Sequence, residues 1–262
     1  MKPFIVLINK EFVQMIRDYK IIWLPIAFIL LGITQPIVTF YLPSIIGSLG
    51  SGKGITIDPS MTLQQGGEVL ASTLGSQFDQ LGIIILAISM MGMIQADKAN
   101  GMLAFILTRP VSVVSYLSGK IISHYLLAVV SITIGYFASY LYVSYLFTDV
   151  PFLHLCIALF YYLVWVLFIV TFIAVVSTIG NSQSIIGLIS IVFLIGCRIM
   201  VGFSPLTEFV NSASMSKHAM EVLITGSINL KAIAATIGAL CWIVLMIYVM
   251  HYWIVSKRYH PK

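Results

Sequence analysis

Six mostly apolar stretches divide this chain, over residues 21–42, 76–95, 121–147, 152–179, 184–203 and 232–255. An α-helix needs about 20 such residues to cross the hydrocarbon core of a bilayer. In lipid every backbone polar group must be satisfied within the protein, so spanning segments are helices or closed barrels, and runs this long read as helices. Composition agrees: 60% of the 262 residues are hydrophobic and 9% charged, where soluble domains carry roughly 25% charged residues. The expected fold is an all-α integral membrane protein with six transmembrane helices, residues 1–262 forming a single transmembrane domain. A net charge of +5 would point to nucleic acid in a soluble protein, but here its placement matters more than its sum, and no nucleic-acid partner is expected. The second stretch is the weakest, since its purely apolar part, LGIIILAISMMGMI, is only 14 residues long.

Charge placement decides whether that stretch crosses. With both ends cytoplasmic, ten of the fourteen basic residues fall on the inner side: Lys2, Lys10, Arg17, Lys20, Lys98, Arg109, Lys120, Lys257, Arg258 and Lys262. Lys53, Arg198, Lys217 and Lys231 fall on the outer side. This asymmetry follows the positive-inside rule, whereas failure of the second stretch to cross would put Lys257, Arg258 and Lys262 outside. The expected topology is therefore N-in/C-in. Residues 1–20 lack a compact apolar core followed by a small-residue cleavage site, so the first span is expected to be retained.

The run GSLGSGKG at 47–54 resembles a phosphate-binding loop, but Gly54 stands where Ser or Thr would hold magnesium, and no helix-forming stretch follows. In the expected topology it lies in the first outer loop, where there is no ATP, and reads as a Gly/Ser hinge with Lys53 a solvated charge. Cys156, Cys197 and Cys241 lack the spacing of a metal or redox site and read as packing residues. No G-x-S-x-G, H-E-x-x-H or paired carboxylates fall inside a span, so no catalytic, metal or cofactor site is expected in this chain.

Three segments lie outside the lipid. In residues 1–20, Ile5, Ile8, Phe12, Met15 and Ile16 recur at helical spacing opposite Lys10, Glu11, Arg17 and Asp18, which describes an amphipathic interfacial helix. It is either an anchor for the first span or a surface, through Glu11, Arg17 and Asp18, for a cytoplasmic partner. Residues 95–120, QADKANGMLAFILTRPVSVVSYLSGK, form a cytoplasmic connection too apolar for a free loop. Gly101 and Pro110 punctuate it into a short helix, a turn, and a new helix that Ser112 can cap. Residues 204–231 contain two short amphipathic pieces, around 206–210 and 215–223.

The cytoplasmic connection carries a resemblance. Asp97, Lys98, Gly101, Leu107, Thr108, Pro110, Val111, Ser112, Leu117, Gly119 and Lys120 follow an order similar to the segment between the second and third spans of the type 2 ABC exporter permeases, the ABC-2 type. The opening KEF…RDYK and the six-span layout extend the resemblance over essentially the whole chain. The chain departs from the family pattern at Asp97, where Glu is usual, at Met102, where Thr commonly follows the glycine, and at Val113, where Arg often follows the Ser. The loop is left with fewer charges than the pattern. The resemblance implies that 95–120 forms a coupling helix seated on a soluble ATP-binding subunit, through Asp97, Lys98, Gly101, Leu107, Thr108, Arg109, Pro110 and Ser112. It also implies that 204–231 forms re-entrant outer helices. ATP and magnesium would sit in two copies of that partner, and a second permease subunit, identical or related, would complete the path through a bacterial plasma membrane.

Inside the spans, Arg198 reads as the one full charge, about 8 Å from the outer interface by helical rise, where it either snorkels or lines a path. Tyr136 and Tyr140, at i and i+4 near mid-span, either pack in the core or line a passage. His124, His154 and His251 lie near span ends and are not spaced as a metal pair. An ATP-driven exporter of a small amphipathic molecule, peptide or lipid is the leading expectation. A non-pumping module, solute-capturing or sensory, is the alternative.

Overall fold

The computed structural model describes residues 3–50, 65–103, 112–227 and 230–256. Every regular element among them is helical: α1 Pro3–Arg17, α2 Lys20–Gly50, α3 Gly66–Ala99, α4 Val113–Leu146, α5 Phe152–Ile179, α6 Gln183–Ile199, α7 Pro205–Val210, α8 Ser214–Thr225 and α9 Leu230–Ser256. Helices α2, α3, α4, α5 and α9 are long and apolar enough to cross a membrane. Helix α6 has 17 residues, about 25 Å at 1.5 Å per residue, and falls short of the roughly 30 Å core. The fifth apolar stretch thus stops being helical at Ile199, and a turn through Gly202 at φ +96° leads to α7. This places Arg198 in the last turn of a short helix.

The second stretch differs in the other direction. Its helix begins at Gly66, ten residues before the expected start at Ser76, and extends for 34 residues. Polar residues disguised the added length, and inside the bundle they are satisfied: Thr73 Oγ1 lies 3.1 Å from Ser139 Oγ of α4. Residues Thr73–Gly82 form a π-helical segment within α3. Such segments are rare and frequent at functional sites.

The bundle is built on two contacts. Helices α2 and α4 touch backbone to backbone, since a Cβ at Gly32 would lie 2.2 Å from Gly135 O and one at Gly135 would lie 2.4 Å from Phe28 O. Small residues permit this approach where lipid offers no hydrophobic drive to pack helices. Helix α5 is apolar on all sides and runs through the interior, with Trp165, Tyr162, Ile169 and Ile173 buried. It meets α4, α6, α8 and α9. Helix α2 keeps Pro25, Pro36 and Pro43 within a continuous helix that runs on through Gly47 to Gly50, so the first half of the expected Gly/Ser hinge is helical and 51–54 lie outside the described residues.

Helix α1 packs on α4, as an amphipathic helix should, but its inward face is not purely apolar. Met15 and Glu11 are buried there, whereas Ile5 and Ile16 are exposed. At the opposite end of the bundle, α8 packs against α3 and α5 through Met215, Ala219, Val222 and Leu223, all buried. The two short amphipathic pieces read in 204–231 are α7 and α8.

Candidate functional site

Helix α3 loses its regular hydrogen-bond ladder at residues 91–94 and resumes at Gln95. A side chain from α5 repairs the break. Ser177 Oγ accepts from the backbone N–H groups of Ile94 and Gln95, both at 3.0 Å, and donates to Met91 O at 3.1 Å. That uses its full hydrogen-bonding capacity, two lone pairs and one proton. Below the break, Lys98 Nζ donates to Thr178 O at 2.8 Å and to Gly180 O at 2.5 Å, and Gln95 Nε2 donates to Asn181 O at 2.9 Å. These carbonyls belong to the C-terminal end of α5, where a cation also meets the negative end of the helix dipole.

On its other side the same turn of α3 enters a buried charge network. Lys120 of α4, 3% exposed, lies 2.9 Å from Asp97 Oδ2 and 3.1 Å from Glu11 Oε1, and donates to Met93 O at 2.6 Å. Tyr116 donates its hydroxyl to Asp97 Oδ2 at 2.8 Å. Lys10, half-buried, reaches Asp97 Oδ1 at 3.6 Å and Glu11 Oε1 at 3.4 Å. Two ammonium groups face two carboxylates, so the cluster is neutral and its buried lone pairs are largely filled, the condition under which buried charge is tolerated. His124 Nδ1 lies 3.0 Å from Lys120 O, and because a carbonyl only accepts, Nδ1 carries the proton. A cavity of about 300 Å³ opens beside the network, lined in part by Glu11, Asp18, Lys20, Ser89 and His124.

The structure therefore brings Glu11, Asp97 and Lys98 together at one end of the bundle, with their charged groups turned inward. Glu11 was expected on the polar, outward face of α1; it is buried because Lys120 lies beneath it. Arg17 and Asp18 are exposed. Gly101 follows α3 at φ +69°, its N–H bonded to Lys98 O at 3.2 Å, and a Cβ there would meet nothing within 4 Å. Its backbone conformation calls for glycine, and among the described residues no close approach does. Ser112 caps α4 as its position suggests, its Oγ accepting from Ser115 N at 3.2 Å. Leu107, Thr108, Arg109 and Pro110 lie outside the described residues.

A second charged group sits at the α8 end, and sequence reasoning missed half of it. Arg198 is not alone inside the bundle: its Nε donates to Asp79 Oδ2 at 2.6 Å. Asp79 lies in the π-helical segment of α3 with its side chain fully buried, while Arg198 is 20% exposed. Ser216 of α8 donates to the same Oδ2, Tyr162 of α5 flanks the carboxylate, and Oδ1 is left without a hydrogen-bond partner of good geometry. The pair thus joins α3, α6 and α8. The signal lies in the sequence, because Asp79 falls inside the stretch 76–95, just ahead of its apolar core. Of the two mid-span tyrosines, Tyr136 is fully buried and donates to Leu155 O at 3.4 Å, and Tyr140 is half-buried against the core. Among the described residues no three His, Cys, Asp or Glu side chains converge on a point that would hold a metal.

Comparison with known proteins bears on this architecture. Residues 5–257 match the family model described as ABC-2 family transporter protein. The chain is also similar to the "Uncharacterized transmembrane protein YxlG" of Bacillus subtilis (strain 168), with 34% identity over 229 residues, covering 86% of this chain and 87% of that protein. ABC-2 permeases generally work with ATP-binding subunits and dimerise. With a multi-helix membrane bundle and a match along nearly its whole length, this chain belongs to the ABC-2 family of transporter proteins, as a multi-pass permease of a bacterial cell membrane.

Proposed function

We propose that this chain is the membrane subunit of an ATP-driven exporter, in which two soluble ATP-binding subunits supply the energy and a second permease chain, identical or related, supplies the other half of the path. The observation that carries this reading is the joint at the inner end of α3. Asp97 and Lys98, on a single turn, fasten that turn to α1 and α4 on one side and to the end of α5 on the other. The segment that leaves α3 at Gly101 returns to the bundle at Ser112, the cap of α4, which also carries Lys120. Force applied to residues 101–112 by closing ATPase subunits then reaches four helices as a rigid-body displacement, since packed interfaces shift as units rather than deform. In this scheme Glu11, Asp97 and Lys98 are positioning residues, and contact with the ATPase falls to Arg17, Asp18 and the apolar segment that includes Leu107. The cytoplasmic placement of this end follows from the distribution of Lys and Arg. The cargo is a small amphipathic molecule, a hydrophobic peptide or a lipid.

The test is gentle solubilisation of the tagged protein from its own membrane and identification by mass spectrometry of what accompanies it. A soluble ATPase in about equal amount, lost on Leu107→Asp while the permease still folds and inserts, is the expected result. A permease that purifies alone under conditions that keep other membrane complexes intact would sink the reading.

A further inference from the structure

Helices α6 and α9 flank a gap in the half of the bundle that carries α8. The gap is a cavity of about 420 Å³, within the roughly 300–1,000 Å³ of typical ligand pockets. Phe168 of α5, Phe193, Cys197 and Met200 on the α6 side, and Trp242 and Met246 of α9 line it, and Asn211 and Ser212, between α7 and α8, close one end. Phe193 and Trp242 are 43% and 40% exposed, so the opening lies on the flank of the bundle, where lipid would be. Phe193 stacks on Phe172 with ring centroids 4.2 Å apart, and Phe172 in turn stacks on Phe168, giving one wall a fixed aromatic face.

The polar end is specific in what it leaves open. Asn211 is held at both ends of its amide, with Nδ2 donating to Cys197 O at 2.6 Å and Oδ1 accepting from Ala213 N at 3.0 Å. Ser212 is 3% exposed and its Oγ has no hydrogen-bond partner. A buried hydroxyl without a partner is uncommon and asks for one. Among the described residues no acidic or basic side chain lines the cavity, and the nearby Arg198 is held by Asp79, so a charged head group would find no counter-charge among them.

We propose that this slot binds the hydrocarbon portion of an amphiphile with an uncharged hydrogen-bonding head, the head meeting Ser212 and the chain lying between Phe193 and Trp242. As a substrate site it rests on the transport reading above; as a binding site it does not. Binding of such a molecule would also bear on the Asp79–Arg198 pair, because Cys197, whose carbonyl holds Asn211, adjoins Arg198.

The test uses the whole permease in nanodiscs of unbrominated phosphatidylcholine, without ATP or partner, so that its outcome is independent of transport. The probe is 11-bromoundecan-1-ol, and the signal is the tryptophan fluorescence that Trp242→Phe removes, which bromine quenches on contact. Saturable quenching at about one probe per chain is expected, abolished by Cys197→Leu, which fills the slot. Ser212→Ala should weaken the alcohol several-fold while leaving 1-bromoundecane unchanged, a distinction a merely structural serine would not produce. The charged 11-bromoundecanoate should bind more weakly than the alcohol. Quenching that rises linearly with probe, indifferent to Cys197→Leu, would mean that bulk lipid wets the slot and would overturn the proposal. So would cross-linking of two chains through Trp242→Cys, which would make the slot an interface between copies.

Discussion

The two ends of this bundle both bury charge, and they do it differently. At the α1 end two lysines and two carboxylates interlock, supported by Tyr116 and by Met93 O, on the regular helices α1 and α4 and one turn of α3. At the α8 end a single arginine meets a single aspartate, carried by a π-helical segment and the last turn of a short helix. The first arrangement is redundant, each charge having two partners of opposite sign. The second has one ion pair, with Ser216 and Tyr162 beside its carboxylate and an arginine still 20% exposed. A redundant network resists rearrangement, whereas one pair with a solvent-reaching arginine can separate without leaving both charges stranded. In the proposed exporter the α1 end serves as a rigid joint and the α8 end as a clasp, with the drive applied at one end and the exit opening at the other.

Lys120→Met tests the joint most severely. It leaves Glu11 and Asp97 facing each other with only the half-buried Lys10 between them, and breaking a buried ion pair by removing one partner costs about 3–5 kcal/mol. The expected outcome is a large drop in the yield of monodisperse protein and in its melting temperature. The triple change Glu11→Gln, Asp97→Asn, Lys120→Met should recover much of the stability, because the one charge it leaves, on the half-buried Lys10, can turn toward water. If Lys120→Met alone left the melting temperature unchanged, the joint would not be a rigid element.

At the clasp the two single substitutions should differ, and their order sharpens the contrast. Arg198→Leu leaves the fully buried Asp79 with Ser216 and Tyr162 alone, a loss at or above the roughly 1–3 kcal/mol of a neutral buried group deprived of its partner, because Asp79 is a carboxylate. Asp79→Asn should cost less, because Arg198 is exposed enough to turn toward the interface and Asn still accepts from Ser216. Equal losses for the two, read by thermal unfolding in the same detergent, would argue that the pair is as closed as the network at the other end.

The same contrast explains what was legible in the sequence. The bundle was readable because apolar length is a local property, and so were α1, α7 and α8, which show helical spacing within a few residues. The cap at Ser112 and the stop at Gly101 were readable for the same reason. The buried partners were not. Glu11 belongs to the polar stripe of α1 by periodicity, and only Lys120, 109 residues away, draws it inward. Asp79 and Arg198 are separated by 119 residues, and each alone looks like an exception in its span. The ten extra residues of α3 were hidden by Thr73 and its neighbours, whose partner Ser139 lies on another helix. What depends on pairing across the bundle cannot be read from one helix at a time.

Smaller effects probe how the joint hands over to the segment beyond it. Gly101→Ala meets no neighbour, so its whole effect is the backbone term for a non-glycine residue in the left-handed region, about 1–2 kcal/mol. Gly101→Asn should recover part of that, since Asn tolerates this conformation better. Ser112→Ala removes the cap of α4 at a cost of about 1 kcal/mol. In the proposed exporter these changes should lower transport more than stability, by altering where the 101–112 segment leaves and rejoins the bundle. Equal ATP-driven transport by Gly101→Ala and the native protein would separate that glycine from coupling.

The smallest expected effect lies at the α8 end, outside the spans. Lys217 donates to Glu208 at 2.5 Å, and this hydrogen bond holds the Glu208 carboxyl below its ordinary value. A depressed carboxylate contributes stability at pH values above its ordinary range and loses that contribution as pH falls through its folded-state value. Acidification below the usual glutamate range should therefore release the pair. Because Glu208 and Lys217 are both partly exposed and an exposed ion pair is worth little, Glu208→Gln should leave the melting temperature at neutral pH nearly unchanged. Added salt should erase even the small difference that remains. A marked loss of stability on Glu208→Gln would mean that α7 and α8 are fastened at their surface, and the clasp role assigned to Asp79 and Arg198 would then have to be shared.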